Sequence, residues 1–508
     1  MTDAASSPRA FRRAFTAVIT VLALVCGGLL VVAGSQGPRL VRTDVDPLAV
    51  VQQSRQRLVL AANRPLQPVD ASTIRMEPGA DFTVDTQADR IILDFARPLA
   101  YDADYTVAID GVQGVGGGPA SDLRTSFRTG DPGMFVLVRG GEQQADRIVR
   151  QSVAGTGDGA SDVVFQATKI QEYAVVGDSL VVATLQDDGS NALVIAALDG
   201  SGQVDLPLPG RGTLQDLHAA DTGTTVGFRF TSADGGQYDD TLMVDDVGAG
   251  AAPTPVVGLD GRELSAQAWG FVPGRPQLVA HGQDGDLFLV TVDGSSPIVP
   301  LGRHGTLGPF SADGTRLAVT DPGSTTEIDL RTAEQTTLPT ETGGADLQYD
   351  GAISFVPGDD AAVLRVRTAL DPATGRASQR LVVVRDGRAS DVYVPADPAT
   401  RITGLTVTPN GRFALLETVP DPARGASDDY PREPRDTTVT TLLVELATGT
   451  VTRSVAGFEV TIGGRASDSP PDAPTAPAPG EGDEAVDAFR CDRRWCCPGW
   501  AGRGATWC

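Results

Sequence analysis

Six glycine-centred turns recur through the middle of this 508-residue chain, and their spacing constrains its fold more than any other feature. Gly177, Gly223, Gly274, Gly314, Gly358 and Gly411 lie 40 to 53 residues apart. Strongly apolar runs follow the turns, as in Leu180-Val181-Val182, Leu317-Ala318-Val319 and Phe413-Ala414-Leu415-Leu416. After a variable loop comes a third run, such as Ala192-Leu193-Val194-Ile195, Leu287-Phe288-Leu289-Val290, Leu381-Val382-Val383-Val384 or Leu442-Leu443-Val444. Short β-branched and aliphatic runs bounded by Gly, Asp and Pro are strands. A strand-only unit of this length cannot bury its apolar faces alone, so successive units must stack as blades around an axis. The spacing predicts an all-β chain in which residues 134–462 form a β-propeller.

Two of the turns carry a resemblance. Phe310-Ser311-Ala312-Asp313-Gly314 and Val407-Thr408-Pro409-Asn410-Gly411 resemble the WSPDG turn of TolB-like and WD-repeat-like propellers; the other four are degraded versions. The WD dipeptide is absent, which favours the TolB-like branch. Ring closure is less regular. Phe135 to Arg139 and Arg147 to Arg150 read as a third and a final strand with no first pair before them. Their partners should follow Val460, where the chain turns instead to Gly463-Gly464-Arg465. The expectation is about seven blades, the last one incomplete.

Upstream, residues 57–130 alternate as strands, with Leu58-Val59-Leu60, Ile91 to Phe95 and Tyr105 to Ile109 the clearest. They predict a small antiparallel sandwich joined to what precedes it by a linker at 35–56. The order Asn63-Arg64-Pro65-Leu66, Pro98-Leu99, Tyr105-Thr106-Val107, Gly111-Val112 and Ser126-Phe127-Arg128-Thr129 resembles the bacterial Ig-like domain of S-layer-type proteins. That resemblance implies a spacer or adhesion module, with Tyr105 and Phe127 in its core.

Residues 14–34 are an uncharged run of 21, enough for one transmembrane helix. Arg9, Arg12 and Arg13 precede it and hold residues 1–13 in the cytoplasm, placing the rest outside. A cleaved signal peptide and a lipoprotein attached at Cys26 are the competing readings. The run is longer than the usual h-region of roughly 7–15 residues, and no A-x-A site follows it. Between Gly27 and Arg490 there is no cysteine, which removes disulfides and thiolate chemistry from the folded part. Residues 463–490 read as a Pro/Ala/Asp-rich disordered linker. Cys491, Cys496, Cys497 and Cys508 then crowd with three tryptophans into 491–508. That spacing fits no zinc site, and we read the tail as a shifted reading frame of GC-rich DNA.

The charge balance, 65 acidic against 41 basic residues for a net −24, repels nucleic acid. No catalytic set stands out. A G-x-S-x-G elbow is absent, and His218, His281 and His304 sit in three different repeats. Gly114-Val115-Gly116-Gly117-Gly118 lacks the following helix of a phosphate loop. Asp187-Asp188-Gly189 and Asp284-Gly285-Asp286 read as tight turns. No cofactor, metal site or catalytic residue is therefore assigned.

What is left is surface. Loops at 231–240, 368–379 and 419–436 occupy equivalent places between second and third strands. They bring Tyr238, Asp239, Arg376, Asp429, Tyr430, Arg432 and Arg435 to one face, the residue types that anchor interfaces. The sequence thus points to a membrane-anchored extracytoplasmic binding or scaffold protein with a protein or cell-envelope partner. The alternative is a propeller enzyme using carboxylates on one face.

Overall fold

The structure, a computed structural model, describes residues 15–22, 36–141, 144–155, 161–338, 347–371 and 373–463, with backbone alone for 347–350. From Gly133 to Gly463 the chain builds seven four-stranded antiparallel sheets. Blade two runs outward as Ile170–Val176, Ser179–Leu185, Asn191–Ala197 and Val204–Leu206. Blades three to seven repeat that order from inner strands Gly212–Ala219, Ala266–Phe271, Thr306–Phe310, Leu347–Val356 and Arg401–Val407. Each inner strand from blade one to blade seven touches the next, which is the architecture of a β-propeller.

All six sequence turns connect an inner strand to its second strand. Their glycines have φ between +54° and +78°, a region that costs other residues about 1–2 kcal/mol. Gly314 also packs on the Pro273 carbonyl and Gly411 on the Pro357 carbonyl, so each turn rests on that of the preceding blade. Between blades the faces are aliphatic, as where Val181, Leu193, Leu214, Phe228 and Met243 share a core. Polar pins complement them. Asp146 accepts from Ile170 N (2.8 Å), Asn191 from Leu214 N (2.7 Å) and Gln379 from Ile402 N (2.7 Å). Each satisfies a backbone donor at the start of the next inner strand, which unpaired would cost about 1–3 kcal/mol.

Blade one is assembled from both ends of the ring. Phe458–Gly463 is its inner strand, followed outward by Gly133–Val138, Asp146–Ser152 and Asp162–Ala167. This corrects the sequence reading twice. The runs near Phe135 and Arg147 are second and third strands, not third and fourth, and the closing strand is present. Glu459, Thr461 and Gly463 interrupt that strand, so no continuous apolar run announces it. A truncated frame is therefore not needed to explain a missing strand.

Ahead of the ring, a four-stranded and a three-stranded sheet enclose Leu58, Ile91, Leu93, Phe95, Val107 and Ile109. Tyr105 lies in this core, stacked on half-buried Phe127 at 5.5 Å. The stretch expected to be a linker belongs to the same unit. Leu40–Asp44 pairs with the strand Gln56–Ala62, and the one-turn helix Ala49–Gln52 buries Val50 and Val51. Nor does the sandwich stand apart. Its core continues into Met134, Val136, Phe413, Leu415, Leu443 and Val455 of blades one and seven. Tyr101 stacks on Phe413 at 6.5 Å, Asn410 donates to Leu99 O (3.4 Å), and Arg97 donates to Gly358 O (3.1 Å). The sandwich thus covers the turn-bearing face where blades six, seven and one meet.

Residues 15–22 are helical and exposed, and the rest of 14–34 lies outside the described residues. Among the described residues no helix is long and apolar enough to cross a membrane. The expectations for 464–508 also fall outside them.

Candidate functional site at the channel mouth

The longest of the three loops does not project. Residues 420–439, between the second and third strands of blade seven, fold back over the ring. A bridge between Ser427 and Asp436 joins the two arms. Asp428 accepts from Arg435 N (3.0 Å) and pairs with Arg139 of blade one at 2.7 Å, both side chains being only 5% exposed. The Arg139 guanidinium also lies 3.6 Å above the Tyr430 ring and donates to Gln171 O (2.8 Å). Tyr430, itself 5% exposed, donates its hydroxyl to the Asp146 carboxylate. Asp146 further accepts from Gly140 N and Ile170 N, both at 2.8 Å. Lys169, the single lysine of the chain, holds Asp429 at 2.6 Å. Breaking one partner of a buried pair such as Arg139–Asp428 costs about 3–5 kcal/mol.

Beyond Tyr430 this strap reaches inner strands, which line the channel. Gln171 of blade two donates to Arg432 O (3.0 Å), and Arg435 reaches Glu459 of blade one (3.5 Å). Arg435 also lies 3.9 Å from Glu433 within the strap. Residues 432–435 therefore reach from blade seven to the inner strands of blades one and two.

Beneath them the inner strands hold a set of carboxyls. All seven inner strands slip register against their second strands. Such bulges turn backbone donors away from the ladder. At two of them, Asp216 and Glu459 take left-handed φ of +53° and +52°. Carboxylates from neighbouring blades receive the freed donors. Glu172 accepts from Asp216 N (3.1 Å) and Leu217 N (2.6 Å), and Glu417 accepts from Glu459 N (2.8 Å). Arg229 holds Asp216 at 2.6 Å. Burial pushes Glu172 well above the usual carboxylate range and carries Glu459 up to about 7, outweighing Arg435 and Arg139. Burial, then Asp216, raises Glu433 as well.

The residues expected to form one binding face divide into two groups. Asp239 and Arg376 are exposed on the loop-bearing face, and Tyr238 is half-buried with its ring edge-on to Phe230 at 6.3 Å. Asp429, Tyr430, Arg432 and Arg435 instead take part in the strap. For Tyr430 this is a correction, since a residue 5% exposed offers no free anchor. The carboxylate its hydroxyl meets, Asp146, lies 284 residues away in sequence, beyond the reach of local pattern. Sequence reasoning missed Arg139, Glu172, Asp216, Glu417, Glu433 and Glu459. The available signal was an amide-acid pair opening inner strands, Gln171-Glu172 and Gln215-Asp216.

The histidines serve as struts. His281 bonds His304 O (2.9 Å), His304 Nδ1 bonds Asp321 (2.9 Å), and His218 lies edge-on to Trp269 at 5.0 Å. Among the described residues, no group of three or more side chains is arranged to hold a metal. Both acidic segments form turns, with Gly189 N on Gln186 O and Gly285 N on Gly282 O.

No protein-family model and no curated protein matches the sequence. Solved structures of β-propeller proteins do match the fold. A 6-phosphogluconolactonase-like protein of Bacteroides fragilis is 13% identical over 65% of this chain and 96% of its own, with a TM-score of 0.40. A prolyl endopeptidase is 15% identical over 65% of this chain and 49% of its own, TM-score 0.41. The Cps50 (Swd1) β-propeller domain of Myceliophteria thermophila is 13% identical over 57% and 90%, TM-score 0.35. These similarities concern fold alone. They span enzymes and a WD40 protein, and they add nothing to the resemblance of the sandwich to Ig-like S-layer modules.

Proposed function

We propose that this chain is a membrane-anchored binding or scaffold protein, held by residues 14–34, that presents the loop-bearing face of its propeller to a protein or cell-envelope partner. One observation carries the reading. The sandwich occupies part of the turn-bearing face, while Tyr238, Asp239 and Arg376 rise from the opposite one. An exposed Arg such as Arg376 combines contact area with directional hydrogen bonds.

Asp239→Ala with Arg376→Ala should each cost within about 0.5 kcal/mol, because both sites are exposed. Capture of the main envelope partner should nevertheless fall about tenfold, a loss of roughly 1.4 kcal/mol. Unchanged capture, with loss on Asp199→Ala and Asp293→Ala in the opposite turns, would move the site to the other face. A propeller enzyme is the second reading, favoured by Glu459 retaining its proton to about pH 7 at the channel mouth. In that case Glu459→Gln abolishes turnover and spares capture.

A further inference from the structure

Four segments come together at the end of the sandwich away from the propeller. Strand Leu40–Asp44 begins there, where Arg39 N donates to Asn63 Oδ1 (2.9 Å) and Asn63 N to Arg39 O (3.0 Å). The turn at 88–89 takes Ala62 N on Asp89 O and Leu66 N on Ala88 O, both at 2.7 Å. The glycine-rich loop at 113–120 is fixed to them by Val115 N on Pro65 O (3.0 Å) and Gln67 N on Gln113 O (2.8 Å). In a chain of net charge −24, residues 36–40, 62–67, 87–90 and 112–120 carry Arg39, Arg64 and Arg90 against one carboxylate, Asp89. Arg39 and Arg90 are exposed and make no ion pair among the described residues, whereas Arg57, Arg75 and Arg128 are each held by an aspartate. At the same end Val115 is 65% exposed, and Val41 of the adjoining strand 69%. The chain also enters here. Gly37 lies so close to Ser121 and the Pro119 carbonyl that a Cβ would collide with both, and Pro38 is buried. Gly37 is three residues beyond Gly34, where the apolar run ends. Three residues reach at most about 11 Å, and the headgroup layer on each side of a bilayer is itself about 5–8 Å deep.

We propose that this end of the sandwich, through Arg39, Arg64, Arg90 and Val115, rests on the anionic headgroups of the bilayer that residues 14–34 anchor it in. The proposal rests on that anchoring and adds a contact and an orientation to it. Guanidiniums match phosphate oxygens with paired hydrogen bonds. An exposed aliphatic side chain beside them enters the boundary between headgroups and acyl chains. The short reach from Gly34 keeps both within range of the lipid without a search. Strand Ser121–Arg128 runs from this end toward the propeller over eight residues, about 25 Å. The propeller therefore stands off the bilayer by the length of the sandwich, its turn-bearing face toward the lipid and its loops toward the outside.

The full chain in vesicles of phosphatidylcholine, with or without phosphatidylglycerol, tests the contact when a photoreactive benzoylphenylalanine replaces Val115. A chain that leaves the vesicles in alkaline carbonate would refute the anchor, and the contact with it. A chain that stays should form a lipid adduct at position 115, about fivefold more with phosphatidylglycerol, the effect of one basic side chain at an anionic surface. Arg39→Gln with Arg90→Gln should lower the yield to that of phosphatidylcholine alone. Both side chains are exposed, so the melt should not change. The same probe at Leu259, 60% exposed beyond the outer strand of blade three, should give no adduct. An anchored chain with no lipid adduct at 115, an equal yield at Leu259, or a yield indifferent to phosphatidylglycerol or to the double substitution would overturn the contact and leave the anchor standing.

Discussion

On the third strand of blade three, Asp245 is only 3% exposed, and neither carboxylate oxygen has a hydrogen-bond partner among the described residues. Asp146 is buried as deeply yet accepts two amides and a phenol. One residue type therefore has opposite consequences in two blades. Desolvation, with a smaller push from Asp246, raises Asp245 to about 6. Unfolding returns it to the ordinary value of 3.8, so the folded state binds the extra proton between these limits. Stability is thus full at low pH and falls as pH rises from about 4 through about 6, by on the order of 3 kcal/mol. Asp245→Asn should raise Tm by a few degrees at neutral pH and leave it unchanged near pH 4, as thermal melts at both values would show. A gain of equal size at both would assign the effect to packing.

At the scale of elements, the closing strand decides whether the ring is sealed. Phe458 is buried, and the Tyr173 hydroxyl of blade two lies within hydrogen-bond reach of both Phe135 O (2.7 Å) and Glu459 O (2.6 Å), one from each half of blade one. A chain ending at Gly457 should lose the native melt, while one ending at Gly463 should keep its Tm within error. Equal melts would refute closure by this strand. Phe458→Ala should cost about 3–5 kcal/mol. The sequence exposed the six hairpin turns because a left-handed φ is a local demand that glycine answers locally. Second strands were legible for a similar reason: buried on both faces, they read as unbroken apolar runs, as in Leu180-Val181-Val182 and Phe413-Ala414-Leu415-Leu416. The closing strand carries acids into the channel, and the strap gains partners only after the ring has formed. Neither leaves a local pattern, so both were invisible until the ring existed.

At the scale of the molecule, the shared core makes sandwich and propeller one cooperative body. Phe413 and Leu415 of blade seven pack in the same cluster as Leu58 and Phe95 of the sandwich. An elastic spacer would unfold independently; a unit with a common core should not. Calorimetry should therefore show one transition for both parts, and Phe413→Ala should lower it by about 3–5 kcal/mol without splitting it. Two resolved transitions would show that the parts are independent. The ring also has a topological property. Gly133 and Gly463 are paired partners, so the chain enters and leaves the propeller at one point, on the sandwich side. In engineering terms the ring is a circle with a movable opening: that junction can be sealed and new termini cut in an exposed turn such as 248–251, with every blade retained. A reporter fused at Gly463 departs from the side opposite the loops and leaves their face clear.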